Sequence, residues 1–296
     1  MTTVNCIDDY EEDDLIGCGQ EETQSNDMVE CEPAPKEDMI ECAQHGWQSL
    51  WNRRCTVCEG ERFKLERELK EHNEYIKRWN IRKNQADIPP RFEECELSTY
   101  QATLPKQIAT LNFAKEFVAG FDTIYKGRCF IFSGQMGTGK THLAIAIANA
   151  LMRKESCYAK YTMVATMIRR VRATWRSDSE VSESEVLNRY AQPKLLILDE
   201  VGIQSGSDNE LSMLFEILNF RYTHNKSTIF ITNLSRDKYI SYLGARVIDR
   251  LREDGGEEIV FDWESYRPIL GRQAKEAANH EQDLSNEVGS QTVVDN

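Results

Sequence analysis

The chain has 296 residues, 40% hydrophobic and 29% charged, with a formal net charge of −13. That length suits one ordinary domain with extensions. No apolar run approaches the roughly 18 residues of a membrane span, and the N-terminus lacks a basic-plus-apolar signal, so a soluble, cytoplasmic protein with no membrane partner is expected. Residues 1–40 carry thirteen Asp/Glu and one Lys, and residues 271–296 carry five acids and two bases, so the acidity belongs to the ends and residues 41–270 stand near +2. A near-neutral core with local basic clusters can still meet nucleic acid.

In chain order, 1–40 reads as a disordered acidic arm, because the run Asp8-Asp9-Tyr10-Glu11-Glu12-Asp13-Asp14 cannot bury enough apolar surface to order itself. Nine cysteines, an odd number without a secretion signal, argue for reduced thiols. Four ligand types group instead as Cys42-x2-His45, nine residues, then Cys55-x2-Cys58. Two close pairs of this kind can grip opposite sides of a tetrahedral Zn²⁺ and fold a segment too small to build a core. A structural zinc module is therefore expected over 41–60, with Gly46, Trp47 and Trp51 packing its loop and Cys31 as a spare ligand. Residues 59–84 read as a charged helix whose Leu65, Leu69, His72, Ile76 and Trp79 form a narrow apolar stripe, a seam for another helix. The cluster from Lys77 to Lys83 suits either nucleic acid or a solvated face. Pro89 and Pro90 then break the helix.

An amphipathic helix is expected over 107–120, then a buried strand over 128–133. Gly134-Gln135-Met136-Gly137-Thr138-Gly139-Lys140-Thr141 follows, matching G-x-x-x-x-G-K-[ST]. Helical residues from His142 complete a strand, glycine loop and helix. Glycines let backbone N–H groups close around phosphate oxygens, and the helix N-terminus favours negative charge. The nucleotide-contacting run is expected to be Gly134, Gln135, Met136, Gly137, Thr138, Gly139, Lys140, Thr141 and His142. Within it Lys140 would sit on the β/γ-phosphates and the Thr141 hydroxyl on Mg²⁺.

A strand over 157–163 leads to a helix ending near 176, where Arg169, Arg170, Arg172 and Arg176 fall within eight residues beside Trp175. They suit phosphate-backbone contacts or surface salt bridges. Lys194-Leu195-Leu196-Ile197-Leu198-Asp199-Glu200 is an apolar strand ending in two acids, as in a parallel sheet covered on both faces. Asp199 would hold Mg²⁺, and Glu200 would polarise the water attacking the γ-phosphate. A helix over 208–224 and a strand over 227–233 follow. Asn233 could sense the γ-phosphate beside Glu200, or serve as a turn residue. Arg246 and Arg250 lie one helical turn apart. An arginine there could reach a neighbouring subunit's nucleotide, or Arg250 could pair with Asp254. Residues 271–296 read as a disordered tail.

Gly137-Thr138-Gly139-Lys140-Thr141-His142-Leu143-Ala144, Leu198-Asp199-Glu200-Val201-Gly202, Thr232-Asn233-Leu234, the run from Gly244 to Leu251, and Ser265-Tyr266-Arg267 together resemble the DnaC-type replicative helicase loaders, AAA+ ATPases. The resemblance spans about 88–270 and implies an α/β AAA+ P-loop NTPase fold, a parallel sheet flanked by helices. It implies ATP hydrolysis with Mg²⁺ and catalytic roles for Lys140, Glu200, Asn233 as first sensor and Arg250 as an arginine finger in trans, with Arg267 as second sensor. It implies self-association of ATPase domains in a spiral, a hexameric replicative helicase and single-stranded DNA as partners, slow DNA-stimulated turnover, and a bacterial, phage or prophage setting. The Cys42–Cys58 segment is similar to zinc modules of phage-type relatives, and residues 61–87 would belong to the helicase-docking region. The rival expectations are an IstB-type ATPase helper for transposition, and a nucleic-acid-binding adaptor that uses ATP only as a switch.

Overall fold

The computed structural model describes residues 39–51, 54–155, 157–203, 207–253, 255–272 and 275. Residues 1–38, most of 271–296, the side chains of Trp47 and Trp51, and Asp254 lie outside the described residues. So do the readings made of them: the acidic arm, the tail, the spare ligand Cys31, and the Arg250–Asp254 pair. The described residues fall into two compact units, divided between Leu69 and Lys70.

The first unit is small. Strands β1 (Met39–Cys42) and β2 (Gly46–Trp51) form an antiparallel hairpin, and β3 (Arg54–Cys55) pairs with the end of β2. The turn at 43–45 is closed by Gly46, whose φ of +66° L side chains rarely adopt. Helix α1 (Thr56–Gln85) starts directly after β3, three residues earlier than the sequence pattern suggests. Its Leu65 and Leu69, members of the expected apolar stripe, are exposed.

The second unit takes in the C-terminal part of α1, α2 (Pro105–Ala119), β4 (Phe130–Gly134), α3 (Lys140–Arg153), β5 (Ala159–Met163), α4 (Val164–Ala173), α5 (Glu183–Ala191), β6 (Leu195–Asp199), α6 (Asp208–Thr223), β7 (Ser227–Thr232), α7 (Arg236–Leu243), α8 (Ala245–Glu253) and β8 (Glu257–Phe261). The strands form one all-parallel sheet in the order β5-β6-β7-β4-β8. Strand alternation divides two cores. Phe130, Phe132, Leu195, Ile197, Ile229 and Ile231 face the side covered by α2 and α3. Ile131, Leu196, Leu198 and Phe230 face α4 to α8. Burial on both faces accounts for the unbroken apolar runs of β4 and β6.

The C-terminal part of α1 is built into this unit, so its basic cluster is used internally. Arg78 and Arg82 pair with Glu155, Lys83 with Glu93, and Trp79 packs beneath Arg153. The chain then crosses to the sheet edge. The Tyr161 N–H donates to Ala86 O at 2.8 Å, and Lys160 Nζ donates to Gln85 O at 3.0 Å.

Arg221 of α6 is 1% exposed. Its guanidinium donates to Thr228 Oγ1 and to the carbonyls of Tyr190, Ala191, Pro193, Lys194 and Ser227. A planar fork of five N–H groups reaches these six acceptors only by sharing at least one N–H between two of them. It ties α6 to the turn before β6 and to the start of β7.

Candidate functional site

The sheet brings the two motifs of the nucleotide site together. Strand β7 lies between β4 and β6, so Asn233, exposed just beyond its end, lies between the loop after β4 and the acids after β6. In the loop, Gly134, Gly137 and Gly139 have φ of +140°, +79° and +93°. A Cβ on Gly134 would stand 2.2 Å from Phe261 O, so only glycine lets β8 pair with the end of β4. Gln135 and Met136 form an exposed apex, and Thr138 is buried.

Lys140 opens α3 and is 5% exposed. Its ammonium donates to Gly134 O at 2.8 Å and Gln135 O at 2.5 Å. Burial pulls its pKa down to about 8; the Asp199 charge opposes that shift and Arg267 adds to it. Lys140 is thus a partly desolvated cation facing loop carbonyls.

Asp199 ends β6 and is 7% exposed. Its Oδ2 accepts the Thr141 hydroxyl at 2.9 Å and the Tyr161 hydroxyl at 3.0 Å, while Oδ1 accepts the Glu200 N–H at 2.8 Å. Glu200 has φ of +58°, uncommon for a residue with a side chain and a local strain of about 1–3 kcal/mol. The turn is fixed by Val201, whose N–H donates to Ile231 O at 2.9 Å and whose carbonyl accepts Thr232 Oγ1–H at 2.9 Å. A hydroxyl and a carboxylate oxygen within hydrogen-bond reach, beside a lysine at a helix N-terminus, make a donor set suited to Mg²⁺ on a nucleotide phosphate.

A strap after β8 clasps the loop from the other side. Trp263 Nε1–H donates to Thr138 O at 2.9 Å, and Tyr266 N–H donates to Gly137 O at 2.9 Å. Arg267 is exposed, and its Cδ lies 3.3 Å from where a Cβ of Gly137 would be. His142 is directed elsewhere: its ring lies 3.5 Å from Cys95 Sγ and 3.3 Å from Thr99 Oγ1, edge-on to Tyr100. Tyr100 in turn backs Gly139, 3.0 Å from its would-be Cβ. Tyr161, Trp263 and Tyr100 carried no site assignment in the sequence, because their roles depend on strand register.

Arg250 lies away from this cluster. It donates to Asn219 Oδ1 at 2.5 Å and stacks over Phe215 and Tyr222 at 5.4 and 4.9 Å. Arg246 is exposed. Of the α4 arginines, Arg170 pairs with Asp87, Arg172 with Glu210 and the nearby Arg176 with Asp178, so three of the four are engaged in ion pairs.

The first unit carries a second cluster. Cys42, at the end of β1, His45 in the turn, Cys55 in β3 and Cys58 in the first turn of α1 have ligand atoms all within 4.8 Å of one another. Cys42 Sγ lies 3.5 Å from Cys58 Sγ, and His45 Nδ1 lies 3.6, 3.9 and 3.3 Å from the sulfurs of Cys42, Cys55 and Cys58. A tetrahedral zinc with S and N ligands has edges of about 3.5–3.8 Å, so the set fits the ion. The other ring nitrogen, Nε2, faces Glu61 at 3.5 Å, an arrangement that orients a metal-binding imidazole. Backbone N–H groups of Gln44 and His45 bring the Cys42 thiol down to about 6, while its hydrogen bond with Cys42 pushes Cys58 up to about 12.

Strand order, loop and acid pair define a P-loop ATP-binding protein of the AAA+ fold. The chain belongs to the IstB-like ATP binding protein family, whose model matches residues 60–268. The replicative helicase loader DnaC of Escherichia coli K12 is 34% identical over 184 residues, 62% of this chain and 74% of that protein. The uncharacterized protein YdaV of the same strain is 33% identical over 219 residues, 72% and 86% of the two chains. A crystal structure of the DnaC helicase loader is similar with a TM-score of 0.52 at 27% identity, over 58% of this chain and 99% of that one. Among the described residues, no helix is long and apolar enough to cross a membrane.

Proposed function

We propose that this chain is an ATP-dependent loader of a replicative DNA helicase, acting in the bacterial cytoplasm. The observation carrying the proposal is the convergence of Lys140, Thr141, Asp199, Glu200 and Asn233 at one end of a sheet whose sequence and fold resemble DnaC. Lys140 leaves the carbonyls of Gly134 and Gln135 and meets the β/γ-phosphates, where a negative partner restores its full charge. The loop N–H groups from Gly134 to Thr141, with His142 behind them, cradle the phosphates, and Arg267 approaches from the strap. Thr141 and Asp199 hold Mg²⁺, which when bound neutralises phosphate charge and orients the γ-phosphoryl group. Glu200 accepts a hydrogen bond from the attacking water, and Asn233 holds that water or a γ-phosphate oxygen. Arg250 comes from a neighbouring copy, its guanidinium held on the α6–α8 surface by Asn219 and two aromatic faces, and stabilises charge in the transition state.

In this reading ATP joins adjacent ATPase domains, residues 88–270, and hydrolysis releases them. Single-stranded DNA binds the assembled state and speeds a slow turnover. Zinc on Cys42, His45, Cys55 and Cys58 folds residues 41–60, and together with 61–87 this region docks on the helicase ring. The test is affinity capture of a hexameric replicative helicase by the full chain with a non-hydrolysable ATP analogue, alongside phosphate release by wild type and Glu200→Gln with and without DNA. Retention of helicase, with turnover that Glu200→Gln abolishes, is expected. Retention of a transposase instead, or equal near-zero rates for both proteins, overturns the proposal.

A further inference from the structure

We propose that Tyr161 is a positioning residue of the ATPase site, holding the Asp199 carboxylate in the orientation that receives the divalent cation. This rests on the reading of Asp199 as a Mg²⁺ holder. Four observations carry it. First, Tyr161 Oη–H donates to Asp199 Oδ2 at 3.0 Å, with Tyr161 4% and Asp199 7% exposed, so water does not compete for the contact. Second, the parallel register sets Tyr161 opposite Ile197 and Met163 opposite Asp199, so the phenol reaches two positions, about 7 Å, along the sheet toward the site. Third, the donors on Asp199 divide by what a cation would do to them. Oδ1 is occupied by the Glu200 N–H, and Oδ2 receives both Thr141 and Tyr161. Thr141 is the hydroxyl that would turn to the metal, leaving Tyr161 as the side-chain donor that stays on Oδ2. Fourth, the main chain that carries Tyr161 is anchored, because its N–H donates to Ala86 O at 2.8 Å.

A buried tyrosine hydroxyl facing a carboxylate oxygen acts as a neutral hydrogen-bond donor. A neutral donor of this kind fixes the carboxylate without neutralising it. It therefore steadies a metal-binding acid without weakening its charge, as outer hydrogen bonds do for ligating carboxylates generally.

The test is equilibrium Mn²⁺ binding, read by electron paramagnetic resonance, to the full chain saturated with a non-hydrolysable ATP analogue. Tyr161→Phe should weaken Mn²⁺ binding about 10-fold. Its turnover should shift to higher Mg²⁺ and recover when Mg²⁺ is saturating. Tyr158→Phe is the control, because Tyr158 lies just before the same edge strand and its hydroxyl donates to Gln85 O at 3.0 Å rather than to Asp199. It should leave the Mn²⁺ curve in place. Tyr161→Met is titrated alongside, so that a folding defect in one variant leaves the other to decide. Curves for both Tyr161 variants that coincide with wild type, while Asp199→Asn is weakened, overturn the role of Tyr161 alone. An unchanged Asp199→Asn curve overturns the reading of Asp199 and this proposal with it.

Discussion

Thr141 and Asp199, 58 residues apart in sequence, share a hydrogen bond of 2.9 Å between the first turn of α3 and the end of β6. The two groups expected to hold the cation are therefore already gathered, and binding need not order them. Thr141→Val, which keeps the shape and removes the hydroxyl, should weaken Mg²⁺-dependent ATP binding about 10-fold or more. Titration calorimetry with and without Mg²⁺ checks this, and equal losses in both conditions would count against a metal role.

Lys140 supplies a pH signature. Its folded pKa is about 8 against an ordinary 10.5, so between those values the unfolded chain binds more protons than the folded one. Stability should rise as pH climbs from about 8 to 10.5. The cost of burying the charged lysine below that window is on the order of 3 kcal/mol. Denaturant unfolding of wild type and Lys140→Met at pH 7.5 and 10 isolates the effect, since the methionine variant lacks this rise. Saturating ATP should flatten it by giving the ammonium phosphate partners.

Arg250 has both an internal partner and a proposed external one. Arg250→Ala should preserve ATP binding and lower turnover by about 10³-fold or more, the usual scale for an arginine acting on a transferring phosphoryl group. Asn219→Ala, which removes the internal partner, should retain most activity. Equal losses in the two variants would make Arg250 a packing residue. Mixing Arg250→Ala with Glu200→Gln chains should restore some turnover, because intact sites form at mixed boundaries.

Zinc should be present at one ion per chain in metal analysis of purified protein. Cys58→Ser should lose it, and with it helicase capture, while ATP binding by the second unit persists. A zinc-selective chelator applied to the wild type, with Mg²⁺ kept saturating, should reproduce that separation. Loss of ATP binding on chelation would contradict the division at Leu69 and Lys70.

Arg221→Met should destabilise the fold by about 3 kcal/mol or more, because it strands several buried carbonyls at once. Arg221→Lys should recover little, since a single ammonium cannot reproduce the fork. Thermal melting measures both.

Much of this was legible in the chain. Gly134 to Thr141 and Leu195 to Glu200 combine chemistry with local context, and local context is what spacing reports. The Cys42–Cys58 set was readable for the same reason. Strand order was not: nothing in the sequence of β7 says that it intervenes between β4 and β6. The α4 arginines were equally opaque, because Asp87 and Glu210, which pair with Arg170 and Arg172, lie 83 residues before and 38 after them. Tyr161 carried no assignment from the sequence, because only the strand register brings its hydroxyl to Asp199.

Gly134 illustrates how two requirements can share one position. The missing side chain that opens the loop is also what lets Phe261 O approach so closely. An alanine there would pry the last strand from the sheet before any effect on phosphate could be read, and such a variant would report on solubility rather than on affinity. Probes of loop chemistry are better placed at Gln135 and Met136, whose side chains are exposed and whose replacement leaves the strand pairing intact.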